Sequence, residues 1–264
     1  MAEIVSASRR TDIPAFHAGW FADALAAGRA SFRAPYTGKP VTVSLAREDV
    51  AAFVFWTRNP VPFLPVLSRL ESAGYPSVFQ FTLTGMPRGL EPSAPPTDEA
   101  VRAFRELSGR IGPERVLWRF DPIFPGEEPA TLVARFDALS AALSGLSRRC
   151  TLSLAHPYRK SVRATRDAPG IWEHSEGLRE TVERIRRIGE NRGFAVVSCC
   201  SPGLEERGVP PAACIDGGLL RRLYPGAGIP EGSTPTRTGC LCVPSRDIGE
   251  YRTCRHGCRY CYAA

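Results

Sequence analysis

The chain has 264 residues, 43% of them hydrophobic and 23% charged, which is the balance of a globular protein long enough for one sizeable core. Net charge is +7, compatible with nucleic acid or a phosphorylated substrate, although nearly all of it is arginine spread through the chain, with Lys39 and Lys160 as the only lysines. No apolar run is long enough to span a membrane, and MAEIVSASRR lacks a signal-peptide core; no membrane role and a cytoplasmic location are expected.

In chain order, Ile4 to Ser8 reads as a short strand, followed by the polar cluster Arg9-Arg10-Thr11-Asp12. Phe16 to Ala27 has apolar residues at helical spacing and stops at Gly28. Ser31 to Leu45 reads as a hairpin turned at Tyr36-Thr37-Gly38-Lys39. Ala52 to Trp56 is a buried strand running into Thr57-Arg58-Asn59-Pro60. Phe63 to Ala73 is a helix closed by Gly74, and Val78 to Leu83 the next strand. Met86 to Pro96 is Pro-rich and irregular. Thr97 is placed to cap a helix over Asp98 to Ile111. Arg115 to Phe120 is a strand ending in Asp121-Pro122, Pro129 to Leu143 a helix, and Cys150 to Leu154 a strand ending in Ala155-His156-Pro157. Tyr158 to Glu176 is a polar excursion, Leu178 to Glu190 a charged helix with an apolar stripe, and Ala195 to Ser198 a last strand entering Cys199-Cys200. Leu219 to Leu223 suits a short helix, and Tyr224 to Arg237 is a Gly/Pro-rich connector.

Strand then helix, repeated about six times, means parallel strands with right-handed crossovers. The fold class expected is α/β, a full or partial TIM-like (β/α) barrel over residues 1–198, with a cysteine-rich segment, 199–264, packed on its C-terminal rim. Chemistry in such barrels sits at the C-terminal ends of strands. Those ends carry Arg9, Arg10 and Asp12; Arg58 and Asn59; Gln80 and Thr84; Arg119 and Asp121; Ser153 and His156. Taken singly each also suits a loop cap or a salt bridge; together they suit a polar pocket.

Nine cysteines, an odd number without a secretory signal, point to a reducing compartment and metal binding rather than a disulfide framework. Within YRTCRHGCRYCY, Cys254, Cys258 and Cys261 stand as C-x3-C-x2-C. Thiolate is a soft ligand that selects iron–sulfur clusters, zinc or copper(I). Three cysteines leave one corner of a [4Fe–4S] cube without a protein ligand. The spacing resembles the cluster motif of radical S-adenosylmethionine (SAM) enzymes, with Tyr260 where they carry an aromatic. Alternatives are a zinc knuckle, with His256 or Cys242 as fourth ligand, or a purely electron-transferring cluster.

The blocks SASRRTDIPAF, FWTRNP, FQFTLTG, ERVLWRFDPI, ACIDGGLL and CLCVPSRDIGEYRTCRHGCRYCYA together resemble the bacterial domain-of-unknown-function 1848 family, over essentially the whole chain. WTRNP, FTLTG and RFDPI also resemble, more weakly, strands of spore photoproduct lyases. The motif stands at the end of the chain rather than after the first barrel strand, where radical SAM enzymes carry it. The resemblance implies an enzyme with a [4Fe–4S] cluster that cleaves SAM to a 5′-deoxyadenosyl radical, fed by an external reductant such as a flavodoxin or ferredoxin. The resemblance names no substrate; a small molecule or a nucleic acid is expected. Arg9, Arg10, Arg58 and Arg119 are candidates to hold carboxylate or phosphate groups. Asp12 and Asp121 are candidates to accept from ribose hydroxyls or a substrate amine. With them Asn59 completes the catalytic set, while Tyr260, Arg58, Gln80, Thr84, Ser153 and His156 form the cofactor-binding one. Cys214, Cys240, Cys242 and one of Cys199 and Cys200 would supply four thiolates for a second cluster or a zinc ion. Cys150 is read as structural. The rival reading is a zinc- or cluster-stabilised nucleic-acid-binding or electron-transfer protein without radical chemistry. A barrel hydrolase or lyase with a structural metal finds no H-E-x-x-H, G-x-S-x-G or phosphate-loop pattern in its support.

Overall fold

The structure, a computed structural model, describes residues 2–168, 170–173, 175 and 177–263; residues 169, 174 and 176 of the expected polar excursion lie outside these. The fold is α/β. Its principal sheet contains β1 (Glu3–Ala7), β4 (Val50–Thr57), β5 (Ser77–Thr82), β6 (Val116–Ile123), β7 (Arg149–Leu154), β8 (Ala195–Ser198) and the two-residue β9 (Arg246–Asp247). The hydrogen-bonded order is β8-β7-β6-β5-β4-β1-β9. β1 runs parallel to β4 and β9, and β7 parallel to β6 and β8. From β1 to β8 each strand is laid beside the one before it, apart from β2 (Arg29–Arg33) and β3 (Pro40–Ser44), which form a separate antiparallel hairpin. Near-continuous apolar runs such as Val50–Thr57 suit strands with both faces covered.

The described chain forms two compact units. One contains the residues up to Gln80, Ala213–Arg255 and Ala263; the other contains Phe81–Ala212 and His256–Tyr262. In the first, α1 (Ile13–Phe16), α2 (Ala18–Ala26) and α3 (Leu64–Ser72) accompany β1 and β4. Phe53 and Phe55 alternate along β4 and so share a face. Phe21 of α2 packs on them at 5.4 and 5.5 Å between ring centroids, and Phe79 stacks on Phe55 at 4.8 Å. Aromatic burial of this kind dominates the energetics of such a core. α3 ends where Gly74, at φ +69°, lets the Tyr75 N–H reach the Leu70 carbonyl (2.9 Å). α9 (Gly217–Leu223) completes this unit.

In the second unit Trp118 and Phe120 alternate on β6 and face Phe136 of α5 (Pro129–Leu143), at 5.2 and 5.1 Å. α4 (Thr97–Ile111) buries Ala100, Ala103, Phe104, Leu107 and Ile111, and α7 (Leu178–Asn191) buries Leu178, Val182 and Ile185, both at helical spacing. α6 (Arg159–Ala164) and α8 (Pro202–Glu205) are short.

Three local expectations are corrected. The helix expected over Phe16 to Ala27 is broken at His17, whose φ of −132° is not helical, and Asp12 caps the first piece by accepting from the Ala15 N–H (2.9 Å). Thr97 lies inside α4; Pro96 is its N-cap and offers no side-chain acceptor. The polar excursion after Pro157 contains α6, whose sequence RKSVRA has no apolar stripe to announce it.

Candidate functional site

In the first unit the end of β1 is organised by Asp247, which stands at 8% exposure in β9. One carboxylate oxygen accepts from the Ser6 hydroxyl (2.6 Å) and the Arg9 N–H (2.9 Å). The other accepts from the Ser8 hydroxyl (2.7 Å) and the Gly249 N–H (3.0 Å). The Arg9 and Arg10 Nε atoms lie 3.7 and 3.8 Å from the same carboxylate. The Arg9 guanidinium also lies 6.0 Å from the Trp56 ring, and that of Arg10 5.6 Å from Tyr251 while Nη1 donates to the Gly249 carbonyl (3.2 Å). Asp12 accepts from the Arg58 N–H (2.8 Å) besides capping α1, so one carboxylate joins the ends of β1 and β4. Asn59 Oδ1 turns the chain by accepting from the Val61 N–H (3.2 Å). The tail reaches this region too, where His17 Nε2 shares a hydrogen bond of 3.2 Å with the Thr253 carbonyl.

In the second unit, the face of β6 opposite Trp118 and Phe120 carries Arg119 and Asp121. Asp121 pairs with Arg119 through one oxygen and accepts from the Ser153 hydroxyl of β7 through the other. Three expected residues therefore form one network. Just beyond β5, Thr84 donates to the buried carboxylate of Glu91 (2.7 Å), and the Tyr260 hydroxyl donates to the same oxygen. Tyr260 meets Phe124, beyond β6, edge-on at 5.5 Å, and its carbonyl accepts from the Ser161 hydroxyl (3.0 Å). The neighbouring Arg259 pairs with Asp167 and reaches the carbonyls of Gly89 and Ala164. Tyr260 is thus fixed beside the chain that follows β5 and β6. His156 is exposed and contacts Tyr158 edge-on at 4.5 Å.

The motif cysteines occupy chain without helix or strand. Gly257, at φ +67°, turns it tightly beside Pro92, and the Cys261 N–H closes the next turn on the Cys258 carbonyl (3.0 Å). Cys258 is buried, while Cys254 and Cys261 are half-buried. Buried His256 shares a hydrogen bond through Nδ1 with the Ser93 carbonyl (3.4 Å). Three soft donors within eight residues, on irregular chain pinned by its neighbours, fit a cluster in their chemistry. Among the described residues no group of three or more His, Cys, Asp or Glu side chains is drawn together as a metal centre.

Cys214, Cys240 and Cys242 belong to the first unit. The Ile215 N–H donates to Cys242 Sγ (3.3 Å), the Thr236 hydroxyl to Cys240 Sγ (3.6 Å), and the Cys214 carbonyl accepts from Gln80 Nε2 (2.6 Å). Hydrogen bonding with the Cys214 thiol, then burial and charge at Cys214, raise the Cys242 thiol, against the Ile215 N–H. Burial would raise Cys240 too, but the N–H groups of Thr236 and Cys242 and the Thr236 hydroxyl hold it at about 7. Cys199 is buried in the second unit, its N–H on the Leu152 carbonyl, and Cys200 is half-buried at φ +49°. Cys150 is fully buried in β7, and desolvation pushes its thiol well above the usual range, as suits a structural role.

The sequence reading did not name Asp247 or Glu91. Glu91 lies in the Pro-rich loop, and nothing in PSRDIG distinguishes Asp247 until its partners more than 230 residues away are known. The family model described as a domain of unknown function (DUF1848) matches residues 4–263, and the chain belongs to that family. No curated protein and no solved structure matches it.

Proposed function

We propose that this member of the DUF1848 family is a radical SAM enzyme whose [4Fe–4S] cluster is held by Cys254, Cys258 and Cys261. The observation that carries the reading is the anchoring of the motif. Tyr260, between two of the three cysteines, is tied by Glu91 to Thr84, at the C-terminal end of a parallel strand, where chemistry in α/β folds is placed. The strand order from β1 to β8, in which, β2 and β3 apart, each strand is laid beside the one before it, supports a partial (β/α) barrel as the finer description. A cluster with SAM bound supplies reductive cleavage of the sulfonium and a 5′-deoxyadenosyl radical.

The chain's own residues supply position. Glu91 and Ser161 hold the loop around Tyr260 from two sides. The Arg119–Asp121–Ser153 network presents fixed charge on the sheet face turned away from the aromatic core. Asp247 holds the main chain at Arg9 directly and that at Arg10 through Ser8, and the two arginine side chains, about one-fifth exposed, bring positive charge to the surface for an anionic substrate. A substrate that is a small molecule or a nucleic acid, a separate reductant and a cytoplasmic location belong to the same proposal.

The test is electron paramagnetic resonance of the anaerobically purified, dithionite-reduced protein. A cluster signal that changes shape when SAM is added, and is lost in Cys258→Ser, is the expected result. A colourless protein holding only zinc, or a cluster signal indifferent to SAM, contradicts the proposal and favours the structural or electron-transfer reading.

A further inference from the structure

A second site stands apart from the C-terminal motif. Residues 231–239 are all exposed and contain no helix or strand. The chain then dives: Cys240 is 7% exposed, Leu241 50%, Cys242 2%. In an extended segment successive side chains point to opposite sides, so Cys240 and Cys242 share one side and Leu241 takes the other. Packing alone would favour the reverse, with the larger apolar side chain inside and the small thiols out. Here the leucine is given to solvent and both sulfurs are turned inward.

The inner side is built for sulfur. Segment 240–243 is hydrogen-bonded to the chain that follows Cys214: the Val243 N–H donates to the Ile215 carbonyl (3.2 Å), and the Ile215 N–H donates to Cys242 Sγ (3.3 Å). Gly217 lies so close to Val243 that an added Cβ would stand 2.6 Å from Val243 Cγ1. This contact holds the Cys214 turn and the Cys240–Cys242 segment together. The Thr236 hydroxyl donates to Cys240 Sγ (3.6 Å), and the Thr234 N–H fixes the Cys242 carbonyl (2.9 Å). Gln80, 1% exposed, donates through Nε2 to the Cys214 carbonyl, while its buried Oε1 finds no hydrogen-bond partner among the described residues. N–H and O–H donors aimed at sulfurs that are turned away from solvent are the outer surroundings that orient metal-binding thiols.

We infer that Cys214, Cys240 and Cys242 are ligands of a second thiophilic metal centre, a zinc ion or an iron–sulfur cluster, which folds the 231–243 loop onto the Cys214 turn. A loop with so few buried apolar groups gains from a metal the folding free energy that packing does not provide. The inference does not depend on radical chemistry at the other motif.

The test separates the two centres. In the triple variant Cys254→Ser, Cys258→Ser, Cys261→Ser, purified anaerobically, elemental analysis should still find tightly bound zinc, or iron with acid-labile sulfide. X-ray absorption should show sulfur scatterers at about 2.3 Å, the ordinary metal–thiolate distance. Adding Cys242→Ser should reduce that metal to background. A parallel measurement on the wild-type protein covers the case in which the variants do not fold. Cys214, which is half-buried, should resist iodoacetamide until the metal is stripped anaerobically with a chelator, while the fully buried Cys150 changes little. A folded triple variant without metal, equal labelling of Cys214 before and after stripping, or a disulfide among the three cysteines in the anaerobic protein overturns the inference. A SAM-insensitive cluster spectrum in the wild-type protein, alongside retained metal in the triple variant, would defeat the radical proposal alone.

Discussion

Asp247→Asn is the most informative single change in the first unit. The carboxylate accepts four hydrogen bonds, two on each oxygen, and each oxygen takes one backbone N–H and one serine hydroxyl. An asparagine keeps only one oxygen. Whichever way its amide turns, the NH2 group faces either the Arg9 N–H or the Gly249 N–H, and a backbone donor cannot rotate away. The paired serine can turn its hydroxyl round and accept. One buried N–H therefore loses its partner, at about 1–3 kcal/mol, and the two bonds that remain lose their charge assistance, about 1 kcal/mol more. The ion pairs to Arg9 and Arg10, 3.7 and 3.8 Å apart and partly exposed, add little, about 0–1 kcal/mol. The sum, roughly 2–5 kcal/mol, lowers the melting temperature by roughly 4–20 °C in a chain of this size. Thermal unfolding followed by circular dichroism at matched metal content measures it. Asp247→Ala should melt lower still, because all four donors are then left, while Asp98→Asn, in an exposed i,i+4 pair with Arg102, should leave the transition in place. If both Asp247 variants melt with the wild-type protein, the carboxylate does not organise the end of β1.

Glu91→Gln should keep the loop bonded to Thr84 and Tyr260 but remove the charge beside the motif; the cluster's midpoint potential should rise while iron content stays at the wild-type level, and an unchanged potential would show that Glu91 acts on the loop alone. Tyr75 donates to the Leu45 carbonyl (2.7 Å), and burial, offset by Arg47 and reinforced by Glu48, raises its pKa above 10.0. A folded pKa above the unfolded one contributes stability that is complete below pH 10 and is lost as pH climbs from there through the folded value. Tyr75→Phe should therefore cost about 1 kcal/mol at neutral pH and narrow its deficit above pH 10, read from melting temperatures of both proteins between pH 8 and 11; a constant deficit contradicts the assignment. At Gly249 an added Cβ would stand 2.5 Å from Ser8 Cβ, so Gly249→Ala should destabilise by about 1–3 kcal/mol, whereas Gly19→Ala, in α2 with open space around it, should stabilise by roughly 0.5–1 kcal/mol; urea midpoints in the opposite order would refute the packing at Asp247.

Much of the architecture was legible because it rests on local pattern. Val50–Thr57 and Val116–Ile123 carry the apolar runs of buried parallel strands, and α4 and α7 the 3.6-residue stripe of helices packed on one face. α6 was not, since RKSVRA has no such stripe, and β9 is two residues long. The polar strand ends were legible as a set, because Arg119 and Asp121 alternate with Trp118 and Phe120 and must point away from the aromatic core. Their partners were not. Glu91 looked like one more polar residue of a Pro-rich loop, and Asp247 acquires its meaning from Ser6 and Ser8, at the other end of the chain. The inward turn of Cys240 and Cys242 around an exposed Leu241 depends on local register, which hydrophobicity alone would have set the other way.

The central claim is that Cys254, Cys258 and Cys261 hold a cluster that cleaves SAM. The direct measurement is product analysis after incubating the anaerobically reconstituted protein with SAM and dithionite. The account predicts 5′-deoxyadenosine and methionine in equal amounts, increasing with time, and abolished by Cys258→Ser but not by Cys150→Ser. A fully loaded, reducible cluster that leaves SAM intact would contradict it.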